Sequence, residues 1–159
     1  MENKEARTVE YSQTETVHSL RPTDINGYGR LFGGQLMQWI DEMAGIVSRR
    51  HCNGQVTTAS VDNLVFKKGA YINQIIVMIG RVTYVGRTSM EVRVDTYKED
   101  DHGMRTMINH AYLVMVSIGD DGKAMEVPGL IVRTEAEQAE WEGGEKRYAL
   151  RKERRKEGY

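Results

Sequence analysis

Residues 33–51 read GGQLMQWIDEMAGIVSRRH, and the way this stretch folds decides what the rest of the chain must do. Leu36, Ile40, Met43, Ala44 and Val47 recur at the spacing of one helix face. Gly33-Gly34 opens the helix, and Asn53-Gly54 closes it after Arg50 or His51. At ~100° per residue, Met37, Trp39 and Ile46 widen the apolar arc to about 180°. A helix resting on a surface needs a narrower stripe. Half a circumference of apolar side chains calls for a helix wrapped by other structure.

The flanking sequence supplies the wrapping. Residues 1–8 read as a loose tail and residues 9–20 as a first strand, followed by a loop marked by Pro22, Asn26, Gly27 and Gly29. Beyond the helix, residues 56–66, 71–85, 88–98 and 105–118 read as strands. In 88–98, Met90, Val92 and Val94 alternate with Glu91, Arg93 and Asp95, as in an antiparallel strand with one wet face. Turns at 86–87, 100–103 and 119–122 have hairpin chemistry. The absence of βαβ alternation excludes a doubly wound parallel sheet. The expected class is α+β, an antiparallel sheet curled around one long helix. One helix covers one sheet face, so the apolar runs 75–79 and 111–116 call for further burial, against another subunit. Residues 134–157 are expected to form a charged helix interrupted at Gly143-Gly144. Its first part, 134–142, carries four glutamates and no base; residues 145–157 carry seven bases against three acids. That polarity suits a solvated helix, with a basic patch for phosphates as the alternative.

A chain of 159 residues implies one domain with a core that needs no staples. Basic and acidic residues number 22 and 23, for a net charge of −1, which argues against an electrostatic grip on nucleic acid or an anionic membrane. Cys52 is the only cysteine, so no intrachain disulfide and no cysteine-based zinc cluster can form. The first sixteen residues hold no apolar run suited to a signal peptide, and nothing later approaches a membrane span, so a soluble, cytoplasmic protein is expected.

Asp41 lies about 40° beyond Met37, at the rim of the apolar arc, while Glu42 lies beyond the other rim. The two are therefore not a carboxylate pair. A carboxylate at such an edge is partly desolvated and a stronger base; the plainer alternative is a flanking Asp bound to nearby backbone, which periodicity alone favours. Gly33 and Gly34 expose the first amides of the helix, either as an oxyanion hole or as a hinge. Asn26 either donates its amide to a carbonyl or water, or serves its Asn-Gly turn. Gly34 and Asp41 stand about 10 Å apart along the helix. One helix cannot bring both to a single carbonyl, so joint action requires the base of one protomer to meet the glycine amides of another. His18, His51, His102 and His110 lack metal-ligand spacing, and no nucleophile elbow is present. Gly86, Arg87, Thr88 and Ser89 form either a phosphate grip or a hairpin turn, with the hairpin favoured.

The stretch DINGYGRLFGGQLMQWIDE at residues 24–42 resembles the signature of the hotdog-fold acyl-CoA thioesterases, the cytosolic acyl-CoA hydrolase family. VTTASVD at 56–62 and VTYVGRTSME at 82–91 resemble that family's next two blocks, in the same order. The resemblance spans about residues 10–130, giving a division into a tail at 1–8, a hotdog domain at 9–130 and a charged helical extension at 131–159. It implies hydrolysis of acyl-CoA to a free fatty acid and CoA, with no metal or other cofactor. It implies Asp41 as the catalytic carboxylate and Asn26 as the group orienting the thioester carbonyl or the water. The Gly33-Gly34 amides would meet the carbonyl, and Gly86, Arg87, Thr88 and Ser89 would lie at the CoA phosphates. It also implies homodimers assembling as trimers of dimers, with sites between protomers and no nucleic-acid or membrane partner. The family's usual proline and Gly-Asp turn before its long strand is replaced here by KKGAYINQ at 67–74, which alters the turn and the CoA rim, not the base. The rival functions are a non-catalytic acyl-CoA-binding sensor and a nucleic-acid-binding protein using the basic tail.

Overall fold

A computed structural model describes residues 5–62 and 64–159. The elements in chain order are β1 (Arg7–Thr8), α1 (Val9–Ser12), β2 (Thr14–Ser19), α2 (Gly33–Cys52), β3 (Gln55–Asp62), β4 (Ile75–Val85), β5 (Ser89–Glu99), β6 (Arg105–Ile118), β7 (Leu130–Ile131) and α3 (Glu135–Glu157). Five strands form one antiparallel sheet in the order β2-β4-β5-β6-β3. This is the expected α+β architecture, with α2 lying in the curl of the sheet.

The core follows from the two periodicities. Leu36, Trp39, Ile40, Met43, Ala44 and Val47 of α2 are buried against Met78, Val82, Met90, Val92, Val94, Ala111, Leu113 and Met115 from alternate positions of β4, β5 and β6. Each large apolar side chain so buried contributes roughly 1.5–3 kcal/mol. Where α2 crosses β4, a Cβ on Gly80 would lie 2.7 Å from Met43 Cγ and 2.9 Å from Val47 Cγ2, so only glycine admits the helix this close. The end of α2 is closed by Asn53 in the left-handed region (φ 52°), its N–H donating to the Arg49 carbonyl at 2.8 Å.

Several local expectations are corrected. Residues 9–20 are not one strand: Thr8 caps a helical turn by accepting from the Tyr11 N–H at 3.2 Å, Val9 and Ser12 are buried, and β2 begins only at Thr14. The expected loose tail is partly ordered, because Arg7 and Thr8 pair with Leu130 and Ile131; residues 1–4 lie outside the described residues. The strands expected at 56–66 and 71–85 are shorter, since β3 stops at Asp62 and Asn73 adopts a positive φ of 67° before β4. Although consecutive in the chain, β3 and β4 are not paired, because β3 crosses to the far edge beside β6.

The largest correction concerns the second face of the sheet. α3 of the same chain packs across it, so the cover expected from another subunit at this face comes in part from within. The supposed wet face of β5 is dry: Glu91 is 2% and Asp95 3% exposed, both held by arginines. Nor does Gly143-Gly144 interrupt α3. A Cβ at Gly144 would lie 2.5 Å from Tyr84 Cβ, so this glycine lets an unbroken helix lie flat on β4. Trp141 packs on Tyr84 alongside, with ring centroids 4.5 Å apart. No helix among the described residues is long and apolar enough to cross a membrane.

Candidate active site

The loop leading into α2 is tied down by its own backbone. Asn26 N–H donates to the Arg30 carbonyl at 2.7 Å, and Phe32 N–H donates to the Asp24 carbonyl at 2.8 Å. Asn26 Oδ1 accepts from the backbone N–H of Tyr28 (2.9 Å) and Arg30 (3.2 Å). The turn therefore consumes only the carbonyl side of this amide, and Nδ2 has no partner among the described residues. Phe32 makes no side-chain cap, and the first turn of α2 holds no acidic residue. The amides of Gly33 and Gly34 are thus uncapped, among the described residues, at the positive end of a twenty-residue helix. The bond from Phe32 N–H to the Asp24 carbonyl ties the Asn26 loop to the residue that precedes Gly33.

Asp41 stands two turns further on, exposed on the flank of α2 that looks toward β3. Thr58 on β3 donates its hydroxyl to Asp41 Oδ1 at 2.6 Å, fixing the carboxylate and leaving Oδ2 without a partner among the described residues. Thr58 lies in the stretch VTTASVD at 56–62, where nothing local marks it as a site residue. Its role appears only when β3 lies alongside α2, and a polar residue in a strand gives no advance signal of that pairing. Sequence periodicity placed Asp41 at a partly desolvated edge; within one chain the edge is open, with Met37 and Ile46 exposed above and below it and Val61 exposed on β3.

Residues 86–89 make the β4–β5 hairpin, Gly86 N–H donating to the Ser89 carbonyl at 2.8 Å. The Thr88 and Arg87 carbonyls accept from Ser117 and Val127, each at 3.0 Å, while the Arg87 side chain is 78% exposed and lies 3.9 Å from Glu126. Met90, Met115 and Thr58 occupy one row across β5, β6 and β3, so the turn lies at Thr58's end of the sheet, about 10 Å to the side. Asp41 lines neither of two surface grooves, the larger of which, about 1130 Å³, includes Arg49, Arg50, Cys52, Val56, Ser117 and Met125. One chain therefore presents three separate parts: an amide group at the helix start, a fixed carboxylate at mid-helix and a cationic turn.

β3 is an edge strand whose residues from Thr57 to Val61 are exposed, with one row of backbone groups unpaired. Among the described residues, no group of three or more His, Cys, Asp or Glu side chains is placed to hold a metal. His18 stacks on Trp39 (centroids 4.1 Å apart), and His51 is buried with Nε2 3.1 Å from the Pro128 carbonyl; burial holds both imidazoles below their ordinary pKa. Both act as packing groups.

An antiparallel sheet curled around one long helix, with a further helix packed on its other face, defines a hotdog-fold protein. Comparison with known proteins agrees. The model of the Thioesterase superfamily matches residues 28–104. The Mus musculus cytosolic acyl coenzyme A thioester hydrolase is 36% identical over 156 residues, covering 96% of this chain, which in turn spans 41% of that relative's length. The acyl-CoA hydrolase of Staphylococcus aureus, solved in complex with butyryl coenzyme A, coenzyme A and coenzyme A disulfide, superposes with a TM-score of 0.91 at 32% identity, over 96% of this chain and 93% of that one. An apo-hexameric acyl-CoA thioesterase superposes with a TM-score of 0.90 at 36% identity, over 94% and 97%. The chain belongs to the acyl-CoA hydrolase family of the thioesterase superfamily.

Proposed function

We propose that this chain hydrolyses acyl-CoA thioesters to a fatty acid and CoA, in the cytoplasm and without a metal or redox cofactor. The observation carrying the reading is the Asp41–Thr58 contact, a carboxylate fixed through one oxygen with the other free to take a proton from water. Water attacks the thioester carbonyl as Asp41 accepts its proton. The oxyanion is met by the Gly33 and Gly34 amides and by Asn26 Nδ2, and the C–S bond breaks as the sulfur leaves. Because the acid and the amides are about 10 Å apart on one helix, the two sets come from different copies in a homodimer. The unpaired β3 edge beside Asp41 is where a second copy adds to the sheet. Gly86, Arg87, Thr88 and Ser89 contact the CoA phosphates.

Three findings support the reading. The Staphylococcus aureus enzyme was crystallised with CoA, and a related thioesterase is hexameric, which agrees with dimers that assemble in threes. The same Staphylococcus aureus enzyme was also solved with an asparagine, an aspartate and a threonine each replaced by alanine, and these are spaced as Asn26, Asp41 and Thr58 are here. The deciding experiment is thiol release from a panel of acyl-CoAs by wild type and Asp41→Ala. Undiminished turnover in the variant removes Asp41 from the mechanism, and tight acyl-CoA binding without turnover in wild type makes the protein a sensor. Single turnover in ¹⁸O water that leaves label in Asp41 would make it the nucleophile instead of the base.

A further inference from the structure

The connection from β3 to β4 brings an aromatic ring onto the start of α2. A Cβ on Gly33 would lie 3.5 Å from Phe66 Cζ, so this phenyl ring rests on the bare Cα of the first helical residue. A Cβ on Gly34 would lie 2.6 Å from Phe32 Cε1, so a second ring lies against the next glycine. Both rings are half exposed, Phe66 at 50% and Phe32 at 56%. Met37, one turn along the helix from Gly33, is exposed as well, and Asp41 follows one turn later. The uncapped amides are thus set in an apolar surface bordered by two phenyl rings.

The ring of Phe66 is held there by the sheet. Asn109 on β6 is 1% exposed and donates Nδ2 to the Val65 carbonyl at 2.6 Å. Four residues beyond Phe66, the Ala70 carbonyl accepts from the Leu31 N–H at 2.7 Å, and the Ala70 side chain is buried. Phe66 therefore lies in a segment fastened on one side to the sheet and on the other to the loop that leads into α2. Asn109 Oδ1 has no partner among the described residues, so the bond to Val65 is the one hydrogen bond this side chain makes among them. A buried amide with one polar atom unpaired is destabilising, and apolar neighbours alone would not call for it.

We infer that Phe66 determines which acyl groups the site accepts, its ring forming a wall against the carbons next to the thioester carbonyl, and that Asn109 is the positioning residue that seats it. The inference rests on the Gly33 and Gly34 amides meeting that carbonyl. A carbonyl oxygen held by these N–H groups brings the first carbons beyond it alongside the ring, while the rest of the chain lies past it. The arm of CoA on the other side of the sulfur carries amides, so the alkyl group is the half of the substrate that suits a phenyl face. The ring therefore selects by shape close to the carbonyl, admitting a straight chain and rejecting a methyl branch on the adjoining carbon. Gly33 and Phe66 belong to one chain, so this holds whichever copy supplies Asp41.

Thiol-release assays of the full chain with matched straight and 2-methyl-branched acyl-CoAs, from butyryl and isobutyryl to palmitoyl and 2-methylpalmitoyl, test this through the ratio of kcat/KM within each pair. Wild type is expected to favour the straight chain, and Phe66→Ala to raise relative use of the branched one about tenfold, within the range for one methyl group in an apolar pocket. Asn109→Leu and Asn109→Ser each withdraw the donor from Val65 and are expected to move the ratio the same way by a smaller factor. Added to Phe66→Ala, either is expected to move it no further, because Asn109 acts through the ring. Ile72→Ala removes another exposed apolar side chain of the same connection and is expected to leave the ratio as in wild type. Equal use of both acyl groups by wild type, an unchanged ratio in Phe66→Ala even where both rates fall, or an equal shift in Ile72→Ala overturns the role of Phe66. Folded Asn109 variants with the wild-type ratio overturn that of Asn109. Wild type that releases thiol from no acyl-CoA overturns the hydrolytic reading, and this inference with it.

Discussion

At the scale of single residues, the contact with most consequence is the 2.6 Å hydrogen bond from Thr58 to Asp41. It orients an exposed carboxylate that would otherwise sample several rotamers, and geometry matters steeply for a positioned base. Asp41→Ala is expected to lower kcat by at least about a hundredfold, the usual worth of a general base. Thr58→Val, which keeps the shape and removes the donor, is expected to lower kcat about tenfold, and Thr58→Ser to restore most of it. Initial-rate assays of thiol release at saturating acyl-CoA separate these outcomes. Thr58→Val turnover equal to wild type would show that the bond is ornamental to the reaction.

At the scale of elements, the two adjacent glycines of α3 have opposite reasons for being there. A Cβ on Gly144 meets Tyr84 Cβ at 2.5 Å, whereas one on Gly143 meets only the end of the Arg147 side chain, at 3.0 Å, a contact that a shift of a few tenths of an ångström relieves. Gly144→Ala is expected to destabilise by about 1–3 kcal/mol through overpacking, despite alanine's better helix propensity. Gly143→Ala should be neutral or stabilising by up to about 1 kcal/mol. Urea titrations of both variants check the contrast, and a common effect at the two positions would mean α3 does not lie flat on β4. The reading of Gly143-Gly144 as a break was the natural one, because helix propensity is local. The close approach that makes glycine necessary belongs to another element 60 residues earlier.

At the scale of the whole molecule, α3 is fastened by charges that are dry. Glu91 is nearly fully buried; burial alone would raise its pKa, but bonds from Arg147, Thr83 and Arg151 outweigh it and hold the pKa below its ordinary value of 4.5. A depressed folded-state value gives stability that is present above the unfolded pKa and lost as pH falls through the folded one. Thermal melts should therefore show stability falling below about pH 4.5, with the decline shallower in Glu91→Gln. That variant should also lose about 3 kcal/mol at neutral pH, since it leaves buried guanidiniums short of a partner. A second whole-molecule expectation concerns β3. Val61→Asp on its exposed face should shift sedimentation toward smaller species and reduce turnover together. Full turnover by a wild-type monomer would end the case for a site shared between copies.

What the sequence determined by itself was whatever depends on periodicity and on short motifs. The wide apolar arc of α2, the alternation in β5 and the turn residues between strands are set by local stereochemistry, so the helix, the strand succession and the α+β class were legible. Asn26, Gly33, Gly34 and Asp41 were legible as candidates because they sit within one continuous stretch. Tertiary structure alone decided which strand lies beside α2, and hence Thr58. It also decided that the charged side of β5 is covered, because the acids there and the arginines of α3 are separated by some 60 residues. Alternation reports which side chains share a face; it does not report what that face meets. That is settled by packing between distant segments, where two charges that each look like solvent contacts can bury one another.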